Sequence, residues 1–148
     1  MRIILKTKVN RSCKKVFQAF DIKLFKKLKP PFWSFNILRF DGCKKGDEVH
    51  LIASVLFIKQ EWISIITESR IDDDSCYFID EGKLLPKPLT YWKHKHIIEK
   101  SIDSSLIIDD ISYYTVSKIT DILIFPLLFL QFFLRKPVYK AYFKKLDQ

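Results

Sequence analysis

Glycine is scarce in this chain. Gly42, Gly46 and Gly82 are the only 3 in 148 residues. That is too few, in the wrong spacing, for a phosphate-cradling loop or a dinucleotide-binding fingerprint. Cysteine is equally rare. Cys13, Cys43 and Cys76 are odd in number and lack C-x-x-C spacing, which argues against a disulfide framework and a thiolate zinc site and for a reducing, cytoplasmic compartment. Long apolar runs are also short in supply. Ile122 to Leu134 is apolar except for Pro126 and Gln131, yet it falls short of the ~20 residues that a spanning helix needs. Asp121 closes one end of it and Arg135-Lys136 the other, so a buried or surface-lying helix is expected rather than a span. The N-terminal segment does not read as a secretory signal, because Lys6, Lys8, Asn10 and Arg11 interrupt it.

What the chain does hold is apolar, aromatic and basic. Hydrophobic residues make up 48% and aromatics 15%, with 13 Phe. The length fits one domain, residues 1–148, with a core large enough to need no staples. The formal net charge is +9, which favours acidic partners or anionic surfaces. The lysines are dispersed and the aromatics lie in apolar phase, so neither forms the basic, stacking groove that nucleic acid requires.

Hydrophobic periodicity sets the element order. Ile3, Leu5, Thr7 and Val9 alternate with Arg2, Ile4, Lys6 and Lys8, which predicts a first strand. Ser12 is placed to cap a helix from Cys13, and Asp21 divides the helical region before Pro30-Pro31 ends it. Strands follow at Phe35–Phe40, Glu48–Ile58, Glu61–Ile71, Cys76–Asp80, Tyr91–Lys100 and Leu106–Val116. Lys83 to Leu89, with Pro86 and Pro88, reads as a loop or edge. From about Ser117 the pattern is helical: Ile119, Ile122, Leu123, Leu127, Leu130, Phe133 and Leu134 recur at threes and fours, with Pro126 expected to kink the helix or start a new one. The expected fold is α+β: a curved antiparallel sheet of about seven strands around a long C-terminal helix, with a short helix pair after strand 1.

Trp92-Lys93-His94-Lys95-His96 is the most informative segment. In a strand, Trp92, His94, His96 and Ile98 share one face, and Tyr91, Lys93, Lys95, Ile97 and Glu99 take the other. A face both aromatic and imidazole-bearing suits the wall of a lined cavity. Asp109, on the next strand, is the expected carboxylate partner of His94 or His96, as a structural tie or as an acid–base pair. The H-x-H spacing also occurs in metal sites, but a third ligand from His50, Glu68, Asp80 or Asp109 follows from no spacing rule. Imidazoles hydrogen-bonded to carboxylate and backbone are therefore the expectation, with no metal and no cofactor. Trp33, Trp62, Trp92, Tyr113, Phe129 and Phe133 are the aromatic candidates for the cavity wall.

These residues carry a resemblance. Phe78-Ile79-Asp80, then Pro86 and Pro88, then Trp92-x-His94-x-His96, then Asp109-x-Ile111-x-Tyr113 resemble the SRPBCC group of the START/Bet v 1-like superfamily, in particular small bacterial polyketide cyclase/dehydrase-like proteins. The run from Gly42 to Val49 is similar to that group's connection into the third strand. The chain departs from the pattern at Thr115-Val116-Ser117-Lys118, where a proline-glycine segment is usual. The resemblance implies a helix-grip fold whose cavity holds an apolar ligand, and no settled reaction.

The expected function is noncatalytic binding or carriage of a small hydrophobic molecule: a lipid, polyketide or isoprenoid. Trp62, Trp92, Phe129 and Phe133 would pack against it, and His94, His96 and Tyr113 would orient a polar head. One alternative is a cyclase/dehydratase-type enzyme in which a cavity histidine moves a proton. Another is a membrane-surface or interaction module built on the C-terminal helix. Leu127 to Leu134 is apolar nearly all round and is followed by Arg135, Lys136, Lys140, Lys144 and Lys145, a combination that can lie on an anionic bilayer. The favoured expectation for that helix is burial against the sheet with a solvated basic tail. No obligate protein partner is inferred.

Overall fold

The computed structural model describes residues 1–30, 34–55 and 58–145. Seven antiparallel strands form a single sheet in the order β1-β7-β6-β5-β4-β3-β2. They are β1 (Arg2–Val9), β2 (Ser34–Phe40), β3 (Glu48–Val55), β4 (Ile58–Ile71), β5 (Ser75–Leu84), β6 (Leu89–Ser101) and β7 (Ser104–Thr115). Helices α1 (Cys13–Gln18) and α2 (Ile22–Lys27) follow β1, and α3 (Lys118–Phe133) and α4 (Arg135–Lys145) close the chain.

The strands show the alternation expected of a sheet with one face covered. In β1, Ile3, Leu5, Thr7 and Val9 are buried while Arg2, Ile4, Lys6 and Lys8 face solvent. Register shifts at Ile37/Arg39, Ile63/Ser64, Ile66/Glu68 and Leu89/Tyr91 interrupt the ladders. Such irregularities bend a strand and increase its twist, and two of them fall within the 14-residue β4. The sheet therefore wraps toward the helices.

The start of the helical region is divided at Asp21, whose carboxylate accepts from the backbone N–H groups of Lys23 and Leu24 at 2.8 and 2.9 Å. Those two donors have no partner within the helix, which is why an aspartate suits the N-cap. Ser12 occupies the N-cap of α1 in an extended conformation, but its side chain makes no capping hydrogen bond. Gly42 lies in the β2–β3 connection at φ +143°, and a Cβ there would stand 2.6 Å from Asp47 Oδ2. Asp47 Oδ2 in turn accepts from the Lys44 backbone N–H at 2.8 Å, so a side chain at position 42 would be strained and would crowd the carboxylate that ties this connection.

Three boundaries differ from the sequence pattern. The expected Glu48–Ile58 strand ends at Val55, and Ile58 already begins β4, paired with Val55. Leu56 and Phe57, which carry no turn chemistry to mark the reversal, lie outside the described residues. β5 runs on through Glu81 and Gly82 to Leu84, because Glu81 and Gly82 keep their pairing with Ile65 and Ser64. Pro126 sits inside α3, and the break comes at Leu134 instead. Pro137 explains the position of the break: it has no N–H to offer the carbonyl of Phe133.

The apolar core falls into three clusters. One joins α1, α2, α4 and the sheet through Val16, Leu24, Phe78, Ile98, Tyr139 and Phe143. A second joins α3 to β1, β6 and β7 through Ile3, Trp92, Ile111, Tyr113, Leu128 and Phe132. The third is Val49, Leu51 and Ala53 on β3. Each fully buried large aliphatic or aromatic side chain contributes roughly 1.5–3 kcal/mol. Trp62, only partly buried, packs against both the second and the third. A cavity lies between the three.

Candidate functional site

The cavity holds about 450 Å³ and is bounded by β2–β6, α2, α3 and the first residue of α4. Members of all three core clusters line it, among them Ile66, Trp92 and Leu51. Phe35 on β2 and the exposed Lys26 and Lys29 are part of its lining. Another part of the wall is polar. Asp80, His94, His96, Gln131 and Arg135 converge there from β5, β6, α3 and α4.

The alternation of β6 is what brings the imidazoles inside. Trp92, His94, His96 and Ile98 are all buried, while Lys93 reaches Glu81 outside at 3.0 Å and Lys95 lies over the Tyr77 ring. Aromatic neighbours hold each ring. Trp92 meets Trp62 edge-on at 4.9 Å between centroids. His96 stacks on Phe78 at 4.2 Å, and the two imidazoles lie 3.6 Å apart.

β7 supplies the carboxylate. Asp109 stands opposite His96 in the register, yet its Oδ1 accepts from His94 Nε2 at 2.9 Å. His96 Nδ1 is 3.5 Å away from the same oxygen and has no hydrogen-bond partner among the described residues. The Tyr139 hydroxyl is also 3.5 Å from it. Burial holds both histidines well below the usual imidazole range, since a charged ring would lose its hydration. Arg135 pushes both in the same direction. The His94–Asp109 contact is thus made by an uncharged imidazole. Burial raises Asp109 as well.

Asp80 is the most displaced acid in the wall. Burial pushes its carboxyl up to about 6, and the Ser64 hydroxyl and the Arg135 charge pull it back only in part. As a residue Asp80 is partly buried, but its Oδ1 is closed to solvent and without a partner among the described residues. The same is true of Gln131 Oε1 and Arg135 Nε. The Arg135 guanidinium carbon lies over the Phe132 ring, 4.2 Å from its centroid. A buried polar atom without a partner costs about 1–3 kcal/mol, and four residues that line this cavity each carry one.

His94, His96 and Asp109 each offer one ligand atom, and these atoms lie within 4.8 Å of one another. The set has the composition of a two-histidine, one-carboxylate centre. The Arg135 charge acts on the same three groups and opposes a cation there.

Of the expected cavity residues, Trp62, Trp92, His94 and His96 line the wall. Three do not. Tyr113 is fully buried behind the wall, where its hydroxyl donates to the backbone carbonyl of Asp121 at 2.7 Å. Phe129 and Phe133 are exposed on the outer side of α3, stacked in a ladder with Phe125 at about 6 Å steps. The helical face turned to the cavity carries Gln131, Phe132 and Arg135 instead. Trp33 lies outside the described residues. Gln131 and Arg135 could not be found from the sequence, because one interrupts an apolar run and the other opens a basic tail. Asp80 was visible as part of a motif, though nothing in its spacing marked it as facing a cavity.

No family model and no curated protein matches the chain by sequence. Solved structures do match by shape. A START superfamily protein from Mycobacterium smegmatis superposes with a TM-score of 0.56 at 13% identity, over 79% of each chain. Norcoclaurine synthase from Thalictrum flavum, solved as a point mutant with a transition-state analogue, gives 0.60 at 14% identity over 88% of each chain. Ara h 8.0201, a Bet v 1-type allergen, gives 0.53 at 18% identity over 80% of each. At these identities the likeness concerns the backbone, and on that ground the chain has the helix-grip fold shared by the Bet v 1-like and START-like proteins.

Proposed function

We propose that this protein binds or carries a small, mostly hydrophobic molecule that bears an oxygen-containing head. The apolar body lies between Trp62, Trp92 and the aromatic wall that includes Phe25 and Phe40. The head meets Asp80, His96, Gln131 and Arg135. One observation carries this reading: Asp80, His96, Gln131 and Arg135, each with a buried side-chain atom that lacks a partner among the described residues, line a single cavity whose remaining wall is largely apolar. A volume of about 450 Å³ falls within the range of small-molecule sites and suits a lipid fragment, polyketide or isoprenoid. The three unpaired cysteines suit a reducing compartment such as the cytoplasm.

The test is native mass spectrometry of the purified protein, followed by tryptophan fluorescence titration with isoprenoid alcohols, ketones and their parent hydrocarbons. The expected result is a bound adduct, or saturable quenching of Trp62 and Trp92 by the oxygenated compounds and weaker quenching by the hydrocarbons. Gln131→Leu and Arg135→Met should each weaken binding about tenfold by removing one polar contact. No adduct, together with no saturation by any compound, overturns the reading.

A second reading is a cyclase/dehydratase-type enzyme, favoured by the Asp80 carboxyl at about 6. Near that value a carboxyl can both take and return a proton at neutral pH. Asp80 suits this task better than His94 or His96, which burial keeps neutral. Turnover by Asp80→Asn equal to that of the wild type excludes this reading.

A further inference from the structure

Helix α3 is turned inside out relative to its own sequence pattern. The side chains that face the protein are Asp121, Leu128, Gln131 and Phe132. The side chains that recur at threes and fours face away. Ile119 is 72% exposed, Leu123 70%, Ile122 63%, Phe133 45% and Leu130 44%. Phe129 belongs to the same surface. Scattered exposed apolar residues need no explanation, but a contiguous patch running the length of a helix marks an interaction site.

Charge selects the partner. From residue 118 to 145 the chain carries Lys118, Arg135, Lys136, Lys140, Lys144 and Lys145 against one acidic residue, Asp121. Asp121 is buried, and its Oδ1 accepts from the Thr115 backbone N–H at 2.6 Å. It therefore offers no negative charge to the outer face. Lys136 lies over the Phe133 ring at 5.5 Å, and Lys140 and Lys144 follow at helical intervals on that side of α4. Leu134 keeps helical dihedrals, φ −68° and ψ −14°, so the apolar stripe passes into the lysine row with a break of one residue.

We propose that α3 and α4 dock this face on an anionic membrane surface, with the apolar stripe in the acyl boundary and the lysines among the head groups. An apolar face flanked by lysines and lacking exposed acid is what an interfacial helix presents to such a surface. A second copy of this chain would bring another set of lysines to the same place, and like charge opposes that contact. The stretch Lys118–Lys145 is long and apolar enough, by length and composition, to cross a membrane. Gln131, Phe132 and Arg135 face the cavity and Asp121 is tied to β7, so the helix lies along the surface rather than through it.

The experiment is co-sedimentation of the full chain with phosphatidylcholine vesicles, with and without phosphatidylglycerol. Binding is expected with the anionic vesicles at low salt, and it should weaken as salt screens the lysines. Ile122→Ser with Leu123→Ser should lower affinity on the order of a hundredfold. Lys140→Glu with Lys144→Glu should lower it about tenfold and abolish the preference for phosphatidylglycerol. All four positions are exposed, so the melting temperature should stay unchanged in both variants. The lysine pair serves as an independent check if the serine pair disturbs folding. Failure to sediment with anionic vesicles at low salt overturns the proposal. So does undiminished sedimentation by both variants. A stable dimer in light scattering that the serine pair dissociates also overturns it, by assigning the face to a second copy.

Discussion

Strand β6 and helix α3 break the inside-apolar, outside-polar rule in opposite directions. On β6, two imidazoles point inward beside a tryptophan, and the lysines point out. On α3, isoleucines, leucines and phenylalanines point outward, and a glutamine and an aspartate point in. The first inversion builds a polar end inside an apolar cavity. The second leaves an oily face on a basic protein. Burial of a polar group is informative, and so is exposure of a contiguous apolar patch. Here both occur in elements that meet at Phe132, which lies edge-on to His94 at 5.0 Å.

Truncating one apolar residue on each element should separate the two inversions most strongly. Ile98, on the inner face of β6, is fully buried, and Ile98→Ala should cost about 2–5 kcal/mol in chemical denaturation. Leu123→Ala on α3 should change stability by less than about 0.5 kcal/mol. Equal losses would show that the outer face of α3 is packed. A smaller effect, still substantial, comes from Asp121→Ala. It strips the Thr115 backbone N–H of its acceptor and should cost about 1–3 kcal/mol, measured the same way.

The pH profile tests the polar side of the comparison. Asp80 is raised from 3.8 to about 6 in the folded state, so the fold binds this proton more tightly than the unfolded chain does. Its stabilising contribution is complete below the unfolded value and is lost as pH rises toward 6. His94 and His96 act in the opposite sense: both are depressed in the fold, so stability falls as pH drops below their ordinary value of 6.5. Subtracting the Asp80→Asn profile from the wild type isolates the aspartate. The variant should gain about 2–3 kcal/mol on the wild type between about pH 4 and pH 7. A flat difference would mean that Asp80 is solvated. The smallest effect is expected at Ile119→Ser, whose stability should match the wild type within about 0.5 kcal/mol while its solubility rises.

The strands were legible because a period of two assigns every residue to one of two faces. Trp92, His94 and His96 could be placed together, and Asp109 beside them, before any coordinates. The helix was less legible. Leu127 to Leu134 is apolar nearly all round, so no periodicity distinguishes its inner from its outer face. The sequence pattern turns Phe129 and Phe133 inward, whereas in the structure Phe132 holds that position. Arg135 was hidden for a related reason: a guanidinium at the head of a lysine row looks like part of a solvated tail. Only the packing of α4 against the sheet buries it. The β3–β4 reversal was illegible because an unbroken apolar run offers no turn residue to mark it.

The one-residue interruption at Leu134 divides the polar part of the cavity wall between two helices. Gln131 belongs to the rod before the joint and Arg135 to the rod after it. Under the proposed function, a head group would be held by one residue from each of two helices, and Pro137 sets where the first of them ends.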